Sequence, residues 1–88
     1  MSRPLNYAML KHFTTVDEAS VDDVMEALKA DYAGRRDFTR DAMISALMTA
    51  EKNGLIEESR IDLDAHDDLL VYYRATDEQK QSINSYIK

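Results

Sequence analysis

The chain has no cysteine and no tryptophan, a single proline and only two glycines among its 88 residues. Without cysteine there are no disulfides, no thiolate zinc ligands and no thiol nucleophile. With Gly34 and Gly54 as the only glycines, no glycine-rich loop can cradle a phosphate. No apolar run approaches the roughly 18 residues of a membrane span. Charges and Asn6 interrupt the opening MSRPLNYAMLKHF, so neither a membrane nor a targeting segment is expected, and a cytoplasmic location is. Ser, His and Asp all occur, but no Gly-x-Ser-x-Gly elbow presents a nucleophile, which points away from an enzyme.

Positive charge is scarce as well. Eleven Lys and Arg stand against 17 Asp and Glu, a formal net charge of −6. Phosphate attraction dominates sequence-independent nucleic-acid affinity, so indiscriminate binding to nucleic acid is disfavoured. What is plentiful is apolar residues, 44% of the chain, enough for one small core. The length fits a single domain spanning residues 1–88.

Leu5, Ala8, Met9, His12 and Phe13 recur at helical spacing after Pro4, which predicts a first helix over 4–14. Ser20 caps a second periodic run of Val21, Val24, Met25, Leu28 and Tyr32, with Asp22 and Asp23 at its positive end. Thr39 caps a third helix over 40–53, with Ile44, Leu47 and Met48 on its core face and Met43 at the edge. Asn53-Gly54 reads as the stop of that helix rather than a hairpin turn, because Gly takes the left-handed conformation that closes a helix. Beyond it LIEESRIDL and LLVYYRAT flank the polar DAHDD, which predicts an antiparallel hairpin. Thr76 and Gln79 have capping-box spacing ahead of a short amphipathic helix carrying Ile83, Tyr86 and Ile87. That apolar strip must either dock on the first helix or pair with a second copy of the chain, a homodimer. Leu28, Ile44, Leu47 and Ile56 are expected in one core, with Met9, Met25, Met43 and Met48 as packing residues.

LMTAEKNGLIEES at 47–59 and VYYRATDEQKQ at 71–81 resemble a winged helix-turn-helix domain of the MarR-like and PadR-like bacterial regulators. The resemblance implies an α+β, mostly α fold: a three-helix HTH core, a two-stranded β wing and a short C-terminal helix. It implies a sequence-specific DNA-binding transcriptional regulator whose helix 40–53 enters the major groove of double-stranded DNA. The long dimerisation helices, ligand-pocket signature and basic wing of such regulators are not evident.

Carried onto this chain, the reading face is Ser45, Thr49, Lys52 and Asn53, with Ala42 and Ala46 between them and Thr39 at the helix start. Arg35, Arg36 and Arg40 stand in the preceding turn and first helical turn, where Asp31 and Asp37 can also balance them. The wing opposes this reading. Residues 57–88 hold eight Asp or Glu against four Lys or Arg, and Glu57, Glu58, Asp62, Asp64, Asp67 and Asp68 lie on or beside it. Such a wing is repelled by phosphate. The alternative is a winged-helix protein–protein interaction module that presents its acidic wing or final helix to a protein.

DLDAHDD at 62–68 begins like an EF-hand loop, but Asp67 stands where that loop needs Gly and Tyr73 where it needs Glu. His66 reads as part of a solvated tip and His12 as a core-edge residue, so no metal and no cofactor is expected.

Overall fold

The computed structural model describes residues 3–87 as four helices and a three-stranded antiparallel sheet, an α+β fold. The elements follow in the order α1 (Leu5–His12), β1 (Ala19–Ser20), α2 (Val21–Tyr32), α3 (Arg40–Lys52), β2 (Glu57–Leu63), β3 (Leu69–Arg74) and α4 (Asp77–Tyr86). Among the described residues no helix is long and apolar enough to cross a membrane.

Helix boundaries follow local side-chain chemistry. The Ser20 hydroxyl accepts from the Asp23 amide while the Asp23 carboxylate accepts from the Ser20 amide, a reciprocal cap on α2. Thr76 and Gln79 form the same box on α4. Thr39 caps α3 through the Ala42 amide. At the far end of α3 the Leu55 amide donates to the Ala50 carbonyl and the Gly54 amide to Glu51, with Gly54 at φ 77°. This paired closure requires the left-handed residue that glycine supplies without strain.

The first helix is shorter than the expected 4–14. After His12 the amides of Phe13, Thr14 and Thr15 bond to carbonyls three residues back, a tighter turn that swings Phe13 into full burial. The expected two-stranded wing is the larger part of a three-stranded sheet of order β1-β3-β2. Ala19 pairs with Tyr73 and Ser20 with Tyr72, so the segment between α1 and α2 ties the hairpin to the helices. A second clasp reinforces it. Glu18 accepts from the Ser59 hydroxyl at 2.8 Å and from Arg60 Nε at 2.9 Å, and the Arg60 guanidinium lies 3.8 Å from the centroid of the Tyr72 ring. These bonds hold the Glu18 carboxyl below its ordinary range.

One core collects Leu5, Met9, Phe13, Val24, Met43, Leu47, Ile56, Tyr73 and Ile83, among others. Leu28 and Ile44, expected in its centre, are half-buried against it. The final helix takes the first of its two expected options: Ile83 and Ile87 are buried against α1, with Ile87 just past the helix end. There Lys11 donates to the Asn84 side chain and the Ile87 carbonyl. Tyr86 stays outside at 79% exposure, edge-on to Tyr7.

Candidate functional site

The third helix sits between α1 and the hairpin, and its rotation decides what each neighbour sees. Met43, Leu47 and Ala50 are its buried positions, whereas Ile44 is half-buried and Met48 is 50% exposed. The expected core face of Ile44, Leu47 and Met48 is therefore corrected by nearly one residue step, about 100° on a helix. Met43 is core rather than edge, and Met48 is surface rather than packing.

This rotation turns the expected reading face toward α1. Ala42, Ser45, Ala46, Thr49 and Asn53 line an open cleft of about 460 Å³ toward α1, opposite Asn6, Met9 and Asp37. Ala46 is half-buried there, so it is not part of an outward face. On the other side, Arg40, Ile44, Leu47 and Met48 face Leu69, Leu70, Val71 and Tyr73 of the hairpin across a groove of about 140 Å³. One flank of α3 is small and polar; the other is apolar.

The predicted cations do not form a free positive patch. Arg35 makes a two-pronged pair with Asp37, both bonds at 3.0 Å, and its guanidinium lies 5.4 Å from the Tyr32 ring. Arg40 reaches back to α2, where Nε is 3.0 Å and Nη2 3.5 Å from the two oxygens of Asp22. Asp64, at the hairpin tip, adds its field to Arg40. Thr39 is occupied as the helix cap. Arg36 and Lys52 are exposed and enter no ion pair among the described residues.

The hairpin has two unlike faces. Ile61 pairs with Val71 and Leu63 with Leu69, and directly opposed residues share a face. That face also carries Tyr73 two positions on, and it looks toward α3. The register shift between Glu58 and Arg60 leaves Ser59 as an extra residue, so that Arg60 and Asp62 turn to the opposite face and Ile61 and Leu63 to this one. Beyond the reach of α3 the apolar face is uncovered: Ile61 and Leu63 are each 55% exposed and Leu69 71%. Sequence reasoning centred on α3 missed these residues, although the alternation of Ile61 with Leu63, and of Leu69 with Val71 and Tyr73, carried the signal.

Acids bracket this apolar strip. At one end Asp64 accepts from the amides of His66 and Asp68, bonds that hold its carboxyl below its ordinary range and charged. At the other, the buried Tyr73 phenol is pushed up by desolvation and further by Glu58 and Glu51. Residues 57–74 together hold six Asp or Glu against Arg60 and Arg74. Two of the four acids of the 62–68 segment are engaged locally: Asp62 accepts from the Leu63 amide and from Arg60, and Asp64 closes the tip. Among the described residues no three His, Asp or Glu side chains converge on a metal-sized site.

No protein-family model matches the chain, and no curated protein sequence matches it.

Proposed function

We propose that the chain is a winged-helix module that recognises a protein, with α3 and the β2–β3 hairpin as its binding face. The winged-helix reading draws on the element order, in which a short strand separates α1 from α2, and α3 leads through a glycine stop into a two-stranded hairpin. The observation that carries the partner class is the exposed apolar strip between α3 and the hairpin, on the flank of α3 away from Ser45, Thr49 and Asn53. It exposes Met48, Ile61, Leu63 and Leu69 between acids, and Arg35 and Arg40 are already paired. Phosphate backbones need unpaired cations, whereas a desolvating apolar strip suits another polypeptide.

The second reading is the sequence-specific DNA-binding transcriptional regulator. It draws on Arg36 and Lys52, which enter no ion pair among the described residues, and on Ser45, Thr49 and Asn53, all exposed along α3 and its end. A photo-cross-linking residue at position 69 in the cell of origin separates the two, combined with selection of the purified chain on a random duplex pool at low salt. Protein adducts that Met48→Ser removes, with no enriched duplex, are expected. Enrichment of a sequence, with retention lost on Lys52→Ala, would establish the regulator instead.

A further inference from the structure

Resting on the protein-binding reading, we infer that the groove between α3 and the hairpin receives an amphipathic helix of a partner protein, with an apolar ridge and Lys or Arg along its flanks. The groove supplies three matching features: apolar walls, a length and a charge pattern.

Ile44 and Met48 form one wall and Leu69 and Val71 the other, with Ile61 and Leu63 extending the second wall outward. Met48 is half exposed, and a flexible thioether adapts to a ridge of varied side chains. Along β3 the apolar face runs from Leu69 to Tyr73, four residue steps or about 13 Å at ~3.3 Å each, the length of about nine helical residues at 1.5 Å each. Such a segment places i, i+3, i+4 and i+7 anchors along the strip.

Charge chooses among occupants. Asp64 closes one end of the strip and Glu51 and Glu58 the other, the hairpin's six acids outnumber its two arginines, and the one cation in the groove lining, Arg40, is held by Asp22. A second copy would bring acid against acid, and an anionic lipid surface or a duplex would be repelled in the same way. Cationic flanks on the incoming helix complement both ends. A strand added to the sheet is disfavoured by the edge itself. β2 is the outer strand, interrupted at Ser59 and carrying Glu57, Glu58, Arg60 and Asp62, the devices that keep strands from pairing there.

The test uses three fluorescent synthetic helices of about 18 residues, enough to cover the strip. One has a Leu ridge with Lys flanks, one the same ridge with Glu flanks, and one Lys flanks on an Ala ridge. Binding to the whole chain is read by anisotropy at low and high salt. The first helix should bind best and weaken with salt. Leu69→Ser should reduce its affinity about tenfold or more, as loss of one buried Leu contact does. Asp64→Asn with Glu58→Gln should reduce affinity and flatten the salt dependence, and Tyr86→Ser, in the α1–α4 pocket outside the groove, should leave both unchanged. Thermal melting of each variant reports folding, and the 71% exposure of Leu69 makes its replacement benign there.

Equal binding of the Glu-flanked helix, equal binding of the Ala-ridge helix, or indifference to Leu69→Ser in a folded chain each overturns the inference. Cross-linking from position 69 to protein, with no helix bound, overturns the helix while leaving the protein-binding reading standing. Enrichment of a duplex overturns that reading itself.

Discussion

Two regions of the molecule leave apolar side chains in water, and they do so in different electrostatic company. The α3–hairpin face exposes Met48, Ile61, Leu63 and Leu69 among Asp64, Glu51 and Glu58. The α1–α4 face exposes Tyr7 and Tyr86 around a pocket of about 400 Å³ lined by Leu10, Leu55, Ser82, Ile83 and Ile87, an uncharged lining, whereas the groove beside the hairpin is lined by Arg40 and ringed by acids. Similar hydrophobic exposure thus carries different selectivity. Acids around the first face exclude other acidic surfaces, including a copy of the chain, whereas the second face offers no such barrier.

Each face rests on one buried aliphatic, and removing it should produce the largest effect. Leu47 underlies the hairpin groove and Ile83 the α1–α4 pocket, both at or below 2% exposure. Leu47→Ala and Ile83→Ala should each cost about 2–5 kcal/mol in thermal or denaturant unfolding. Met48→Ala, on the wall rather than the floor, should cost under about 1 kcal/mol, because a half-exposed chain gives up less buried area. Equal losses at Leu47 and Met48 would restore the unrotated helix and dissolve the groove.

A smaller effect belongs to the cap that aims α4. Thr76→Ala leaves the Gln79 backbone amide without its cap, while the Gln79 side chain keeps its bonds from the residue 76 amide and to the Gly54 carbonyl, at 3.1 Å. A loss of about 0.5–2 kcal/mol is expected, with hydrogen exchange accelerated in α4 before β2 and β3. Uniform acceleration would mean that the two faces are not separable units.

Acid should also act on the two regions in sequence. Partial burial lowers His12 from 6.5, against a smaller opposing pull from Asp23. The folded state prefers the neutral ring, so its contribution is complete above about 6.5 and declines as pH falls from there through the lowered folded value. Glu18, Asp62 and Asp64 are likewise lowered, Glu18 from 4.5 and the aspartates from 3.8. Their contribution is whole above those values and fades below them, so the hairpin clasp loosens only in stronger acid. Unfolding measured against pH should show a first decline that His12→Gln removes and a second that Glu18→Gln reduces. The smallest effect is weak self-association. Any concentration dependence in sedimentation should vanish with Tyr86→Ser and persist with Leu69→Ser.

How far each feature could be read from sequence depended on how far apart its causes lie. Ser20, Thr39, Thr76 and Gly54 act within three or four residues, so the helix limits they set were predictable. The strand Ala19–Ser20 has no period of its own and exists because Tyr72 and Tyr73, more than 50 positions on, pair with it. The phase of α3 was ambiguous because Leu47 belongs to two overlapping triples, one with Ile44 and Met48 and one with Met43 and Ala50. Alanine is the smallest apolar signal, yet Ala50 is the buried member that sets the phase. Of the candidate site, the Arg35–Asp37 pair was visible as a neighbouring couple, but Asp22 as the partner of Arg40 comes from a different helix. The hairpin's acidity was plain in composition. Its apolar inner face was legible in the alternation from Ile61 onward and along β3, but the extra residue at Ser59 hid its continuation to Glu58.

That change behaves like a frameshift in a two-letter code. Along β2 the side facing α3 is spelled by an even position at Glu58 and by odd positions from Ile61 onward, with Ser59 as the character left over. Loss of Ser59 by a one-codon deletion, ordinarily ruinous inside a strand, would therefore preserve every facing of the residues after it, sacrificing only the local twist and the bond to Glu18. Loss of Arg60 with Ser59 drawn into its place would preserve them as well. Deleting Asp62 would instead put Leu63 out of phase, so tolerance to indels should change sharply within three residues.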